Sequence, residues 1–326
     1  MNDVTQKVLS MLESAEGPVT VEEISRTLDM PRSMISRHIK ELRENGHDIE
    51  SSLESGYLLI RSSGPITPDA ITRVLRTTFI GTDIRYYESV GSTNWAAKKL
   101  CLEGDPQSLN GTVVVAEEQT GGFGRLGRAW ASPQGGIWAS VILTPKLPVD
   151  SLFMLMMAAS IAVARAIRRK YDLGALIKWP NDVYIGDRKA AGLLLELSAD
   201  GDDIHYCLLG IGIDANVDVS QLSPDLQRKV TSIRTELGHE IDRASLLASV
   251  LREFESRYMI LESGEYEPIL REWKSLSLTL DNRVSIRTVR RSFEGTAIDI
   301  DQHGALIIRK DNGRIEKVVA GDCAHL

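Results

Sequence analysis

Leu176-Ile-Lys-Trp-Pro-Asn-Asp-Val-Tyr184, continuing as Ile-Gly-Asp-Arg-Lys189-Ala-Ala-Gly192, is the stretch that decides how the chain is read. A strand enters Lys178-Trp179, Pro180 breaks it for want of an N–H, and Asn181-Asp182 stand at the break. Gly186-Asp187 turns the chain, and Leu193-Leu-Leu-Glu-Leu197 returns as a strand. Lys178, Lys189, an amide and a carboxylate therefore gather at strand ends, where open α/β sheets hold their ligands. A carboxylate beside lysines suits Mg2+ and nucleotide phosphates, which makes Asp182 the candidate metal ligand. A salt-bridged turn accounts for Asp187-Arg188 but poorly for Lys178 and Asn181.

Upstream, from Ile80, strands alternate with long helices, an α/β pattern. Strand Ile84–Tyr87 leads through Glu88-Ser-Val-Gly-Ser-Thr-Asn94 into a helix over Trp95–Leu102, so Ser92, Thr93 and Asn94 fall at a strand-to-helix junction. One such residue suffices to cap a helix; three in a row offer hydroxyls and an amide to a ligand. Strand Thr112–Ala116 runs into Glu117-Glu-Gln-Thr-Gly-Gly-Phe-Gly-Arg-Leu-Gly-Arg128. Gly122-Phe-Gly124-Arg-Leu-Gly127 has the spacing of a dinucleotide fingerprint, but Ala-Trp-Ala-Ser-Pro follows where a helix is needed. No Lys-Ser/Thr closes it as a Walker A loop. It reads as a glycine loop whose N–H groups, Arg125 and Arg128 fold over an anion, the alternative being a mobile surface loop. Cys207–Ile213 is a further buried strand, ending in Gly210-Ile-Gly-Ile-Asp214.

The rest of this region is scaffold. Ser151–Lys170 is an apolar helix, its Leu152–Ala164 core too short to span a bilayer, and Arg243–Glu262 is amphipathic. From about Leu280, five short strands punctuated by Gly295, Gly304 and Asn312-Gly313 suggest a small β-barrel.

The first sixty residues form a distinct unit. Val4, Val8, Leu9, Met11 and Leu12 recur at helical spacing, and Thr20-Val-Glu-Glu23 is a capping box that starts a second helix. After a tight turn, Pro31 opens a third helix with Met34, Ile35, His38, Ile39 and Leu42 as its inward stripe, stopping at Asn45-Gly46. Two short helices joined by a tight turn make a helix-turn-helix, and Asp48–Ile60 reads as a hairpin wing. Arg32, Ser33, Ser36, Arg37 and Lys40 on the exposed face are the candidate DNA contacts. The competing reading is a docking module with an ordinary solvated face. Residues 1–62 carry seven basic and eleven acidic groups, and four of the seven basic ones, Arg32, Arg37, Lys40 and Arg43, fall on that helix. Arg61–Pro68, with Gly and two Pro, is the best linker.

The whole chain has 326 residues, 43% hydrophobic and 25% charged, with a net charge of −7. That is globular composition for two or three domains, and it excludes a wholly basic nucleic-acid binder. Three distant cysteines exclude a disulfide scaffold or a Cys-rich zinc site, and the histidines have no metal-ligand spacing. No signal-peptide pattern opens the chain. A soluble cytoplasmic protein with no membrane partner is expected.

Gly-Ser-Thr-Asn94, Gln119 with the Gly122–Arg128 loop, Lys178-Trp-Pro-Asn-Asp182, Asp187-Arg-Lys189-Ala-Ala-Gly192 and Asp301-Gln-His-Gly-Ala-Leu306, taken together, resemble the biotin protein ligase (biotin–[acetyl-CoA-carboxylase] ligase) family. The resemblance is to the form whose N-terminal helix-turn-helix also represses biotin genes, and it covers essentially the whole chain. It implies an α+β multidomain protein: a winged helix-turn-helix over 1–62, a mixed-sheet α/β ligase domain of class II synthetase type over 63–278, and an SH3-like β-barrel over 279–326. It also implies ATP, Mg2+ and biotin as ligands, and a biotin carrier domain of a carboxylase, operator DNA and a second copy of the chain as partners. By that resemblance Ser92, Thr93, Asn94, Gln119, Phe123, Gly124, Arg125 and Lys189 bind biotin, with Arg125 and Lys189 catalytic. Gly122, Arg128, Trp130, Lys178, Asn181, Asp182 and Asp214 bind ATP or adenylate. Two positions depart from the family: Phe123 stands where a basic residue is usual, and Asp214 where the strand end usually reads Gly-Ile-Asn. The alternatives are a non-catalytic biotin-sensing regulator and a lipoate ligase.

Overall fold

The computed structural model describes residues 3–15, 17–44, 48–52, 56–60, 65–288 and 291–326. They form two compact units, Met1–Gly64 with Gly238–Arg243, and Pro65–Leu237 with Ala244–Leu326.

The first unit begins with helices α1 (Asp3–Ser14), α2 (Val21–Leu28) and α3 (Arg32–Glu44). The capping box forms as the sequence predicts: the Glu23 N–H donates to the Thr20 hydroxyl, and the Glu23 carboxylate accepts from the Thr20 N–H at 2.8 Å. Val8, Leu12, Ile24, Ile35, Ile39 and Leu42 close a core with Val19 and Ile49. Met34 departs from the expected inward stripe and is 44% exposed, because Ile35, His38, Ile39 and Leu42 already complete the i, i+3, i+4, i+7 face. His38 is buried instead with its ring Nδ1 2.9 Å from the Thr5 hydroxyl. Strands β1 (Asp48–Ser52) and β2 (Gly56–Ile60) pair antiparallel, and Arg43 ties α3 to β1 by donating to the Ile49 carbonyl at 2.9 Å. Arg32, Ser33, Ser36, Arg37 and Lys40 all lie on the exposed side of α3. The expected helix stop at Asn45-Gly46 and the first four residues of the Arg61–Pro68 linker lie outside the described residues.

The second unit runs α4 (Pro68–Val74), β3 (Ile84–Val90), α5 (Thr93–Glu103), β4 (Val113–Gln119), β5 (Ile137–Leu143), α6 (Phe153–Tyr171), β6 (Ala175–Lys178), β7 (Asp182–Ile185), β8 (Arg188–Asp200) and β9 (Asp203–Ile213). It continues with α7 (Pro224–Gln227), α8 (Ile233–Leu237), α9 (Arg243–Glu262) and α10 (Glu267–Ser275). The seven-stranded sheet has the order β3-β4-β5-β9-β8-β7-β6; β3 and β4 are parallel and every other neighbouring pair antiparallel. Ala97 and Cys101 of α5 pack on Val114, Ile142 and Leu208 of the sheet. Helix α6, long and apolar enough by composition to cross a membrane, is buried here against β6–β8 and α10. Glu255 of α9 accepts three consecutive backbone N–H groups, from Thr78, Phe79 and Ile80, fixing the approach to β3.

The chain ends in β10 (Arg283–Arg287), β11 (Ser292–Ile300), β12 (Leu306–Arg309), β13 (Ile315–Val318) and β14 (Asp322–His325), an antiparallel sheet of order β13-β12-β11-β10-β14. It is fastened to the large sheet: the Trp179 indole N–H donates to the Gly304 carbonyl at 3.2 Å, and the Leu278 N–H to Ile177 at 2.7 Å. Gly304, at φ +80°, leaves room for Phe153 of α6, which a Cβ there would meet at 2.4 Å.

Trp273 of α10 is fully buried. Trp273→Ala is expected to destabilise the second unit by about 3–5 kcal/mol, read as a lower urea midpoint.

Candidate active site

Three glycines strip the middle of the large sheet. Gly192 of β8 pairs with Gly212 of β9, and Gly210 stands two residues before it. A Cβ on Gly210 would lie 2.8 Å from Asn94 Oδ1, one on Gly212 2.9 Å from Trp130 Nε1, and one on Gly192 3.0 Å from the Trp130 ring. Asn94 and Trp130 therefore rest directly on backbone. The bare patch floors a cleft of about 870 Å³.

One end of the cleft is neutral and polar. Ser92, Thr93 and Asn94, at the start of α5, are each under 5% exposed. Ser92 takes the cap position without making a side-chain cap bond, so its hydroxyl is not spent on the helix. The Thr93 N–H and hydroxyl both donate to Gln119 Oε1, at 2.8 and 3.1 Å, and Gln119 Nε2 donates to the Ser132 hydroxyl at 2.8 Å. The fully buried Ser140 hydroxyl reaches Thr93 Oγ1 at 2.7 Å and Asn94 Oδ1 at 2.5 Å, while Asn94 Nδ2 donates to Glu196 at 2.7 Å. Thr93, Asn94 and Gln119 are thus each locked in one orientation.

The other end is charged. Lys189 Nζ sits 2.6 Å from Asp182 Oδ1 and 4.7 Å from the centre of the Trp130 ring. Lys178 Nζ lies 4.8 Å from the Tyr184 ring centre, and burial pushes the Tyr184 hydroxyl up to about 12. Asn181 donates to the Leu193 carbonyl and accepts from Arg125 at 3.2 Å. Over both ends lies the 121–128 loop. It closes on itself through Gly124 N–H to Arg128 carbonyl and Trp130 N–H to Gly122 carbonyl bonds, at 2.8 and 2.9 Å. Phe123 packs its ring 6.0 Å from that of Trp95.

Thirteen of the fifteen residues assigned to the site from sequence line this cleft; Gly122 and Asp214 do not. Gly122 is a close-approach glycine at the loop base, where a Cβ would meet the Ser132 hydroxyl at 2.5 Å. Asp214 is 5% exposed, and burial pushes its carboxyl up to about 8 although Lys189 opposes the shift. Sequence reading missed Ser132, Ser140 and Glu196, which hold the polar end, and Arg287, Asp322, Cys323 and Ala324, which the C-terminal sheet brings to the rim. Among the described residues no group of three His, Cys, Asp or Glu is placed to hold a metal ion. Asp182, alone and already paired with Lys189, fits Mg2+ only as one carboxylate beside nucleotide phosphates, a usual arrangement for that ion.

A neutral polar end joined to a cationic end under a glycine flap is the layout of a ligase that activates a carboxylate with a nucleotide. Comparison with known proteins narrows the class. The family model described as "Biotin/lipoate A/B protein ligase family" matches residues 86–214, "HTH domain" matches 4–58 and "Biotin protein ligase C terminal domain" matches 279–326. The chain is 33% identical over 325 residues to the bifunctional ligase/repressor BirA of Bacillus subtilis, covering 99% of each, and 27% identical over 322 residues to that of Escherichia coli, covering 98% of this chain and 97% of that one. Biotin protein ligase from Aquifex aeolicus in complex with biotin and ATP superposes with a TM-score of 0.65 at 26% identity, covering 75% of this chain and 99% of that one. The chain belongs to the biotin protein ligase family.

Asp214 carries a pH signature. The unfolded chain loses this proton near pH 4 and the folded chain near pH 8, so its contribution to stability falls as pH rises through that window. Asp214→Asn is expected to flatten that decline and to raise stability at pH 8 by on the order of a few kcal/mol, with little change at pH 4. Parallel pH profiles of the urea midpoint for the two proteins would remove Asp214 as the cause.

Proposed function

We propose that this chain is an ATP-dependent biotin protein ligase, which forms biotinyl-5′-AMP and passes the biotinyl group to a lysine of a carrier protein, and that it is also a biotin-responsive repressor. The observation that carries the ligase reading is one cleft in which a rigid neutral hydrogen-bonding end adjoins a cluster of fixed cations. The uncharged ureido ring of biotin needs oriented donors and acceptors, which Ser92, Thr93, Asn94 and Gln119 supply. Phe123 and Gly124 cover it, Phe123 giving an apolar face. Negative charge grows on the α-phosphate as the biotin carboxylate attacks and pyrophosphate leaves. Lys189 and Arg125 meet that charge in place, without reorganising. Lys178, Asn181 and Arg128 hold the remaining phosphates, and the Trp130 ring offers the nucleotide base a flat platform. Asp182 would hold Mg2+ beside the phosphates, and the ion would neutralise part of their charge. The glycine flap keeps water from the mixed anhydride until the carrier lysine arrives. Gly122, at the base of the flap, and Asp214, within electrostatic reach of Lys189, complete the ATP or adenylate end.

The head reads as a winged helix-turn-helix, with Arg32, Ser33, Ser36, Arg37 and Lys40 of α3 toward operator DNA and β1–β2 as the wing. Domain limits of 1–62, 63–278 and 279–326 follow from this reading, the last being an SH3-like barrel. An acidic chain with so few basic groups on α3 binds DNA weakly as a single copy, so repression requires a homodimer that presents two heads to paired half-sites. The protein works in the cytoplasm, where carrier proteins and operators are found.

Purified protein with ATP, Mg2+, labelled biotin and a carrier domain should label one carrier lysine; folded wild-type protein that leaves the carrier unlabelled refutes the ligase. Arg125→Gly should slow adenylate formation at least ten-fold and spread label to bystander lysines, because one fixed cation at developing charge contributes a factor of about 10² or more. Unchanged rate and selectivity would take Arg125 out of the site. A gel-shift assay on the biotin-gene promoters should give a complex that needs biotin and ATP and is lost in Arg37→Ala.

A further inference from the structure

The flap that covers the cleft is held from outside its own turn, and the holding groups belong to the last strand of the chain. Arg128 forms an ion pair with Asp322 of β14. Arg125 donates one guanidinium N–H to the Gly321 carbonyl at 2.9 Å and another to Asn181 at 3.2 Å. These two arginines are some two hundred residues from β14 in sequence. Strand β14 is a fixed post, since Asp322 to His325 pair in register with Arg287 to Val284 of β10. The flap by contrast is a short turn closed on itself, with Leu126 at its tip 74% exposed and at φ +58°. A leucine in that left-handed region is strained and persists only where the surroundings over-determine the backbone.

We propose that Asp322 is a positioning residue for the bound adenylate: by holding Arg128 it keeps the glycine flap shut over the cleft. The idea rests on the ligase reading above and adds to it a part for the C-terminal strand. The Arg128 guanidinium holds the Asp322 carboxyl below the usual carboxylate range, so the latch is charged at neutral pH. Its side chains are 59% and 34% exposed, and a pair of that exposure shifts a closed–open equilibrium by about two- to five-fold and is screened by salt. That strength suits a flap which has to open for substrates and for the incoming carrier lysine. The opposite role, a carboxylate that competes with nucleotide phosphate for Arg128, gives opposite results and is separated by the test.

The test uses full-length wild-type, Asp322→Asn and Asp322→Glu proteins. In the ligand-free protein, trypsin cleavage is read after Arg125, whose hydrogen bonds go to Asn181 and the Gly321 carbonyl and which feels the Asp322 carboxylate only through space. Asp322→Asn should be cut there about two- to five-fold faster than wild type, relative to other sites, with Asp322→Glu restoring the wild-type rate. Release of preformed biotinyl-AMP should rise by a similar factor in Asp322→Asn. Raising salt from 50 mM to 0.5 M should speed release from wild type by a larger factor than from Asp322→Asn, a difference that a merely structural residue would not produce. Arg128→Ala and the double variant Arg128→Ala/Asp322→Asn should release alike, since both act through one contact. Equal cleavage after Arg125 in all three proteins overturns the latch, as does equal salt dependence or a lowered KM for ATP with unchanged release in Asp322→Asn. The cleavage arm needs no catalysis, so a wild type that makes no adenylate would count against the ligase while the latch is still decided.

Discussion

The cleft exists because the sheet beneath it has no side chains. Gly192, Gly210 and Gly212 place bare backbone where Asn94 and Trp130 must lie, and a methyl group at any of the three would meet one of those side chains at 2.8–3.0 Å. Strand glycines weaken a sheet, and here the loss is confined to the first half of β8 and the end of β9, next to the fully buried stretch Cys207–Leu209. The polar end, the Trp130 platform and the place of Lys189 over it all follow from this one constraint. The floor is rigid because it is sheet, so the hydrogen-bonding groups above it are fixed before any ligand arrives.

The two ends of the cleft are built on different principles. The neutral end is a closed network in which Ser140, Ser132 and Glu196 fix the orientation of Thr93, Asn94 and Gln119, and a buried network of that kind holds its members to one geometry. The charged end is made of pairs that a phosphate can rearrange, Lys189 with Asp182 and Arg125 with Asn181. A rigid end selects the ligand and an adjustable end follows charge as it moves during reaction. The overall charge of −7 therefore says little about the site, where the cations are concentrated under one flap.

Much of this was legible in the sequence. The capping box at Thr20-Glu23, helix Arg243–Glu262 and the strand-to-helix junction at Ser92–Asn94 are set by local rules, and the structure places them there. Lys178, Asn181, Asp182 and Lys189 were found because charge at a strand break has few structural uses. Met34 went astray because it lies beside the inward face of α3, and only packing shows that Ile35, His38, Ile39 and Leu42 already fill that face. The supporting residues were hidden for another reason. Ser140 and Glu196 are single polar residues inside strands, Asp322 meets Arg128 only through the tertiary fold, and nothing local marks any of them. One available signal went unused: glycines at 210 and 212, two apart in a strand, point to close approach on one face.

The claim that the bare-floored cleft holds biotin at its neutral end and nucleotide at its cationic end is tested most directly by a crystal structure of this chain with a non-hydrolysable biotinyl-adenylate analogue. The bicyclic ring should lie against Thr93, Asn94 and Gln119, the phosphate among Arg125, Lys178 and Lys189, and the base beside Trp130 over Gly212. An analogue bound in the reverse sense along the cleft, or seated away from the three glycines, would contradict it.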